Sequence, residues 1–344
     1  MSIATELEAL NTNIKNAYDA IDTKGGTIPQ NKNMVNLPTS IASIPSGGGG
    51  GIGIPRELDQ NGKMIQTSGV YSLPNSVKDI GDYGMYYAEY ANTGITKVDF
   101  SNITSLTGKN ALYYAFYCCS GITEADFSSL TTMNCENGLA YALRGCSSLT
   151  TVKFDSLTTI EQKTSQFNGC FYQCDNLENV TFPALTTIKS NNCFSSCFDS
   201  CTNLKSLSFP ELTTITSNIG LGFSGVTNFT SLSMPKLQKL SGSPSMQYVF
   251  RYGAFNSFTF SALNDIKASQ PLRYLCYGRS NFTLYFPALT ASSFGSYTNQ
   301  FSGMFQNGSN NTVHFPSALQ STLSTWSDVQ NGFGGTNTTV LYDL

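Results

Sequence analysis

Short apolar-polar-apolar triplets recur down most of the chain at a nearly constant interval. Val98-Asp99-Phe100, Ala125-Asp126-Phe127, Val152-Lys153-Phe154, Val180-Thr181-Phe182 and Leu207-Ser208-Phe209 are followed by Leu232-Ser233-Met234, Phe258-Thr259-Phe260, Leu284-Tyr285-Phe286 and Val313-His314-Phe315. By subtraction, the last residues of successive triplets stand 27, 27, 28, 27, 25, 26, 26 and 29 positions apart, and Leu73 lies 27 before Phe100. A two-residue alternation predicts a half-buried strand, with the outer residues of each triplet turned inward. Phrases such as Pro183-Ala184-Leu185-Thr186-Thr187-Ile188 then end the strand and return a Leu and an Ile to the core. Upstream, Ala115-Phe116, Ala142-Leu143, Cys170-Phe171, Cys197-Phe198 and Gly222-Phe223 set a small residue beside a large one.

One such unit cannot bury its own flat sides. Stacking the units does, so the predicted fold class is a repeat solenoid of about ten coils of about 27 residues, built of short strands, turns and short helices. The coils are assigned to residues 73–320, with a leading cap or hairpin at 55–72 and a closing cap at 321–344. Leu58-Asp59-Gln60-Asn61-Gly62-Lys63 begins like a calcium loop but lacks the later ligands, and Asn61-Gly62 reads as a hairpin turn. Eight positions before the anchor stand Asn92, Cys119, Cys146, Cys174 and Cys201, which predicts a ladder of buried small residues in which Asn92 bonds loop backbone.

The first fifty residues have a different period. Ile3, Leu7, Leu10, Ile14, Ala17 and Ile21 step by 4, 3, 4, 3 and 4, a heptad register that predicts a helix seeking a partner. Residues 1–45 are therefore read as an attachment and oligomerisation segment, joined through a glycine-rich linker at 46–54 that includes Gly47 to Gly51. The alternative is a helix docked on its own solenoid, which the five glycines disfavour.

Two resemblances follow from these residues. The pattern in Cys197-Phe198-Asp199-Ser200-Cys201-Thr202-Asn203-Leu204-Lys205-Ser206-Leu207-Ser208-Phe209-Pro210 resembles the BspA-like leucine-rich repeat over roughly residues 70 to 320. Members are mostly surface or interaction proteins, which implies binding rather than catalysis. In the later units Val226, Tyr252, Gly278 and Asn307 replace the Cys. The segment with Ala17-Tyr18-Asp19-Ala20-Ile21, Lys24-Gly25-Gly26-Thr27-Ile28-Pro29 and Asn36-Leu37-Pro38-Thr39-Ser40-Ile41 resembles the attachment segment of bacteriophage tail and other virion proteins. Together they imply a tail-fibre or adhesin-type virion protein, made in the host cytoplasm and displayed on the particle exterior. Its expected partners are other virion proteins, a second copy through the helix, and a host-surface glycan or protein. The alternatives are a bacterial surface or interaction protein with the same repeats, or a glycan-cleaving enzyme.

Composition narrows the partners. Only 12% of residues are charged, about half the usual share, so Ser, Thr and Asn must wet the surface. A pI near 5.2 and 19 scattered Lys and Arg offer no stripe for nucleic acid. No apolar run approaches a membrane span, and Met1 to Glu6 lacks the opening of a secretory signal. Ten cysteines without a Cys-x-x-Cys pair or a nearby histidine read as reduced, packed thiols rather than a metal site, and no cofactor motif occurs.

Catalysis has little material. His314 is the single histidine and is expected on the solvated side of a late strand. Glu124 and Asp126, with Asp99 and Asp155 one coil away on either side, form the one carboxylate grouping that glycan hydrolysis would use. A candidate ligand face is therefore drawn through the outward strand positions Lys97, Asp99, Glu124, Asp126, Lys153, Thr181 and Ser208. Tyrosines concentrated in the turns, among them Tyr86, Tyr87, Tyr90, Tyr113, Tyr114 and Tyr117, offer rigid amphipathic contact area or fill space between coils.

Overall fold

The computed structural model describes residues 68–344. The heptad helix, the glycine run and the turn at Asn61-Gly62 lie outside the described residues. Within them the chain winds as a three-sided solenoid. On the first side, Gly69–Ser72, Ile95–Asp99, Glu124–Asp126 and Thr151–Lys153 form one parallel sheet, Asn179–Thr181, Ser206–Ser208 and Ser231–Ser233 a second, and Ser257–Thr259, Thr283–Tyr285, Thr312–Phe315 and Thr339–Tyr342 a third. Pairing is parallel because each rung is the next coil of the same winding. It is also like on like: Leu207 faces Val180 and Leu232, while Ser206 faces Asn179 and Ser231. The repeat solenoid of about ten coils of about 27 residues is thus the observed fold.

The second side is a ladder of two-residue strands from Asp79–Ile80 to Lys239–Leu240, in which the second residue of each is buried. The threonine preceding several of these strands donates its hydroxyl to the carbonyl of its counterpart one coil back: Thr131 to Thr104 at 3.0 Å, Thr158 to Thr131 at 3.2 Å, Thr186 to Thr158 at 3.1 Å and Thr213 to Thr186 at 3.2 Å. Hydroxyls that composition assigns to hydration thus also tie coil to coil.

Inside, the strand anchors stack into a phenylalanine column. Phe127, Phe154, Phe182 and Phe209 lie ring on ring with centroids 5.1 to 5.3 Å apart, and Phe260, Phe286 and Phe315 repeat this at 5.0 and 5.4 Å. Between the two columns the slot holds Met234, itself buried. The closing segment carries two one-turn helices, Gln320–Leu323 and Ser327–Gln330, and then one further rung: Thr339–Tyr342 pairs in register with Thr312–Phe315, 27 positions on.

One side-chain expectation needs correction. His314 points outward, but its side chain is only 15% exposed. Its ring stacks on Tyr285 at 4.4 Å, and Nδ1 lies 2.8 Å from Asp343 Oδ1, so neighbours rather than water cover it.

Candidate binding surface on the turn side

The third side is built by a four-residue rule. From residue 83 to 91, alternate N–H groups donate to the next coil, as Tyr83 to Lys109, Met85 to Ala111, Tyr87 to Tyr113 and Glu89 to Ala115, at 2.7 to 3.1 Å. The N–H groups between them close turns within the coil, as Tyr86 to Tyr83 and Ala88 to Met85. Every fourth residue is consequently left-handed: Tyr83, Tyr87 and Ala91, then Asn110, Tyr114 and Cys118, then Asn137, Tyr141 and Gly145, all with φ between 53° and 75°. That region costs a non-glycine residue about 1–2 kcal/mol. The inter-coil bond made by each of these residues offsets the cost and fixes the conformation.

This rule sets side chains two in and two out. Leu112, Ala115 and Phe116 are buried, whereas Tyr113, Tyr114 and Tyr117 stand at the surface. Since the tyrosines repeat at 27 residues, their rings stack along the solenoid: Tyr86 on Tyr113 at 5.6 Å, Tyr87 on Tyr114 at 4.8 Å, Tyr90 on Tyr117 at 5.0 Å and Tyr114 on Tyr141 at 4.8 Å, with interplanar angles of 7° to 15°. In the first of the described coils Tyr83 is 51%, Tyr86 41% and Tyr90 52% exposed. Arg144 terminates the array, its guanidinium over Tyr172 at 4.4 Å, Tyr117 at 5.4 Å and Tyr141 at 5.8 Å. Among the described residues no carboxylate lies within ion-pair distance of Arg144. A smaller cluster recurs in later coils, where Tyr248 stacks on Tyr274 at 5.6 Å and Arg251 lies over Tyr252 at 5.2 Å.

Packing leaves a signature in the phenols. Burial, followed by the neighbouring Tyr113 and Tyr141, pushes Tyr114 up to about 12, and burial first of all raises Tyr87, Tyr113 and Tyr117. A phenol whose pKa is higher folded than unfolded contributes stability that is complete below pH 10 and is lost as pH rises toward 12. Ultraviolet titration should show a late-ionising tyrosine class, and stability should fall across that window. Ionisation of all tyrosines near the ordinary value, with unchanged stability, would mean that the array is not packed.

The strand-face residues chosen from the sequence divide. Lys97, Asp99, Glu124, Asp126 and Lys153 come together: Glu124 takes Lys153 at 2.7 Å and Lys97 at 3.2 Å, and Asp126 takes Lys153 at 3.3 Å. Thr181 and Ser208 face each other in the following sheet, beyond the break after Thr151–Lys153. Lys153 and then Lys97 hold Glu124 below its ordinary pKa. Burial pushes Asp126 up, but bonds from Ser128 and Lys153 outweigh it and leave that group lowered too. Asp126 points outward with the others, bonded to Lys153 on that face, but it is buried, with a relative exposure of 8%, so the expectation that it is open to a ligand is corrected. The five charges satisfy one another, and neither Glu124 nor Asp126 is held as a proton donor at neutral pH.

The thiols form a donor ladder. Cys119, Cys146, Cys174 and Cys201 donate to the carbonyls of Glu89, Phe116, Leu143 and Phe171 at 2.8, 3.2, 3.2 and 2.8 Å, each in the preceding coil. Asn92 occupies the first slot, accepting from the Gly94 N–H at 2.9 Å and donating to Glu89 at 2.8 Å. All ten cysteines are free and nine are buried. Burial pushes Cys119 and Cys201 up to about 12, and Cys146 and Cys174 well above the ordinary value. Native protein should therefore give fast thiol labelling at the half-buried Cys118 alone, with the rest reacting after denaturation; rapid native labelling of Cys146 or Cys174 would contradict the ladder.

A stacked array of parallel coils with recurrent Phe, Leu and Cys slots defines a leucine-rich repeat solenoid. The BspA type leucine rich repeat region (6 copies) matches at residues 70–199, 114–252, 167–276 and 195–325, and the chain belongs to this family. The match starts at residue 70 and does not reach residues 1–45, for which no comparison supports the resemblance to virion attachment segments. No curated protein is similar enough to match. Among solved structures, a leucine rich cell surface protein from Faecalibacterium prausnitzii A2-165 aligns over 84% of this chain and 93% of its own, with 14% identity and a TM-score of 0.33. A leucine-rich repeat protein from Eubacterium ventriosum ATCC 27560 aligns over 73% and 84%, with 13% identity and a TM-score of 0.27.

Proposed function

We propose that the chain is a surface or interaction protein whose repeats bind a partner, rather than an enzyme, and that the tyrosine array on the turn side is its main contact surface. The observation that carries this is the first coil of the array, where Tyr83 and Tyr90 are half exposed and Tyr86 nearly so, held by backbone bonds to the next coil, while the strand-face charges are occupied with one another. Tyrosine held this way loses little conformational freedom on binding and supplies both ring surface and hydroxyl. The test is binding of the full chain to bacterial envelope preparations, beside a Tyr83→Ser, Tyr86→Ser, Tyr90→Ser variant. Saturable binding that weakens about tenfold or more in the variant is the expected result. Absence of saturable binding, or equal binding by the variant, overturns it.

A second reading, attachment of the chain to a virion, is favoured by the heptad from Ile3 to Ile21 and by Gly47 to Gly51. Deleting residues 1–45 should leave the coils folded, since their contacts are local, and should abolish incorporation into particles. Particles that still carry the truncated chain would defeat this reading.

A further inference from the structure

The strand row on the first side opens between Ser231–Ser233 and Ser257–Thr259, which no backbone hydrogen bond joins. No coil is missing there, because Met234 and Phe260 are 26 positions apart. The winding stays closed around the opening, through the bridge between Lys239 and Asp265 on the second side and the Ala254 N–H bonded to the Phe229 carbonyl at 2.6 Å. The opening coincides with the one methionine in the phenylalanine column. It holds a cavity of about 280 Å³ lined by Ser231, Ser233, Phe255, Ser257, Phe258 and Thr259 among others, none of them charged.

Strand alternation identifies the backbone groups that face it. The Ser231 N–H and Ser233 carbonyl turn back to the preceding coil, bonded to Lys205 and Phe209 at 3.1 and 2.9 Å, so the N–H and carbonyl of Leu232 turn toward the opening. On the other bank, the Asn256 carbonyl and Phe260 N–H are bonded forward to Thr283 and Tyr285 at 2.8 and 2.9 Å, which leaves the groups of Ser257 and Thr259 facing back. Two strand edges thus confront each other with complementary donors and acceptors and, among the described residues, no partner strand.

We propose that this opening takes a short, uncharged, extended peptide from a partner protein, added as a strand to both edges. The two banks demand a ligand with N–H and C=O groups on both sides at strand spacing, which an extended peptide has. Its alternation would be polar-apolar-polar, with the central side chain toward Leu232 and Phe258 and the outer two beside the serine and threonine hydroxyls. This site lies apart from the tyrosine array and stands whether or not that array binds.

Hydrogen exchange on the full chain tests it, with acetyl-Thr-Ser-Val-Ser-Thr-amide as the probe. In the free protein the amides of Leu232, Ser257 and Thr259 should exchange fast, and saturating peptide should slow them about tenfold or more. The same peptide N-methylated at its central residue should not. Amides already protected in the free chain, no slowing by the peptide, equal slowing by the methylated peptide, or slowing by maltohexaose in its place would each overturn the proposal.

Discussion

Replacing Phe182 with alanine should lower unfolding free energy by about 3–5 kcal/mol, the range for removing a fully buried aromatic ring. Phe182 is 0% exposed and lies between Phe154 and Phe209 at 5.1 and 5.3 Å, with Phe167 and Phe194 edge-on at 5.7 and 5.5 Å. Four stacked or edge-on rings around it resist collapse into the space, which keeps the cost within that range. His314→Ala should cost less, although not nothing, since it removes a ring stacked on Tyr285 and bonded to Asp343. Denaturant unfolding of both variants ranks them; the reverse order would invert the strand phase on which the solenoid rests.

Gly108→Ala should also destabilise the fold, for the opposite reason. A Cβ there would fall 1.8 Å from the carbonyl carbon of Gly81 and 2.2 Å from the nitrogen of Asp82, both backbone atoms of the preceding coil. No side chain can swing away, so the two coils must part, at a cost of about 1–3 kcal/mol or more. Gly278→Ala is the control: nothing lies within 4 Å of its Cβ, and only its φ of +74° opposes the change. A calorimetric comparison in which Gly108→Ala is the milder of the two would show that the coils do not approach this closely.

Much of this architecture is legible in the sequence because the repeat states the same instruction many times. The triplets give strand phase, the 27-residue interval gives stacking, and the Cys slot gives a buried ladder. The turn side is less legible. Its left-handed positions are filled by Tyr, Asn, Ser, Gln and Cys as well as Gly, because the bond to the next coil imposes the conformation and residue preference does not. The signal available was the pairing of Tyr86-Tyr87 with Tyr113-Tyr114 at one repeat, which places ring over ring. Alternation places Asp126 on the right face but misses its burial, because it takes no account of Lys153 and Ser128 closing over the carboxylate. The opening after Ser233 has its trace in Met234, where an unbranched chain replaces the ring that elsewhere stacks on the next anchor.

The coil-to-coil hydrogen bonds also determine how this protein carries load. Strands lie across the solenoid and bond along it, so a pull on its two ends strains one coil boundary at a time instead of shearing a whole sheet at once. Each coil of about 27 residues that peels away lets out about 90 Å of chain at nearly full extension. The protein is in this sense a spring in series, which lengthens in steps and keeps its remaining coils intact while it absorbs work.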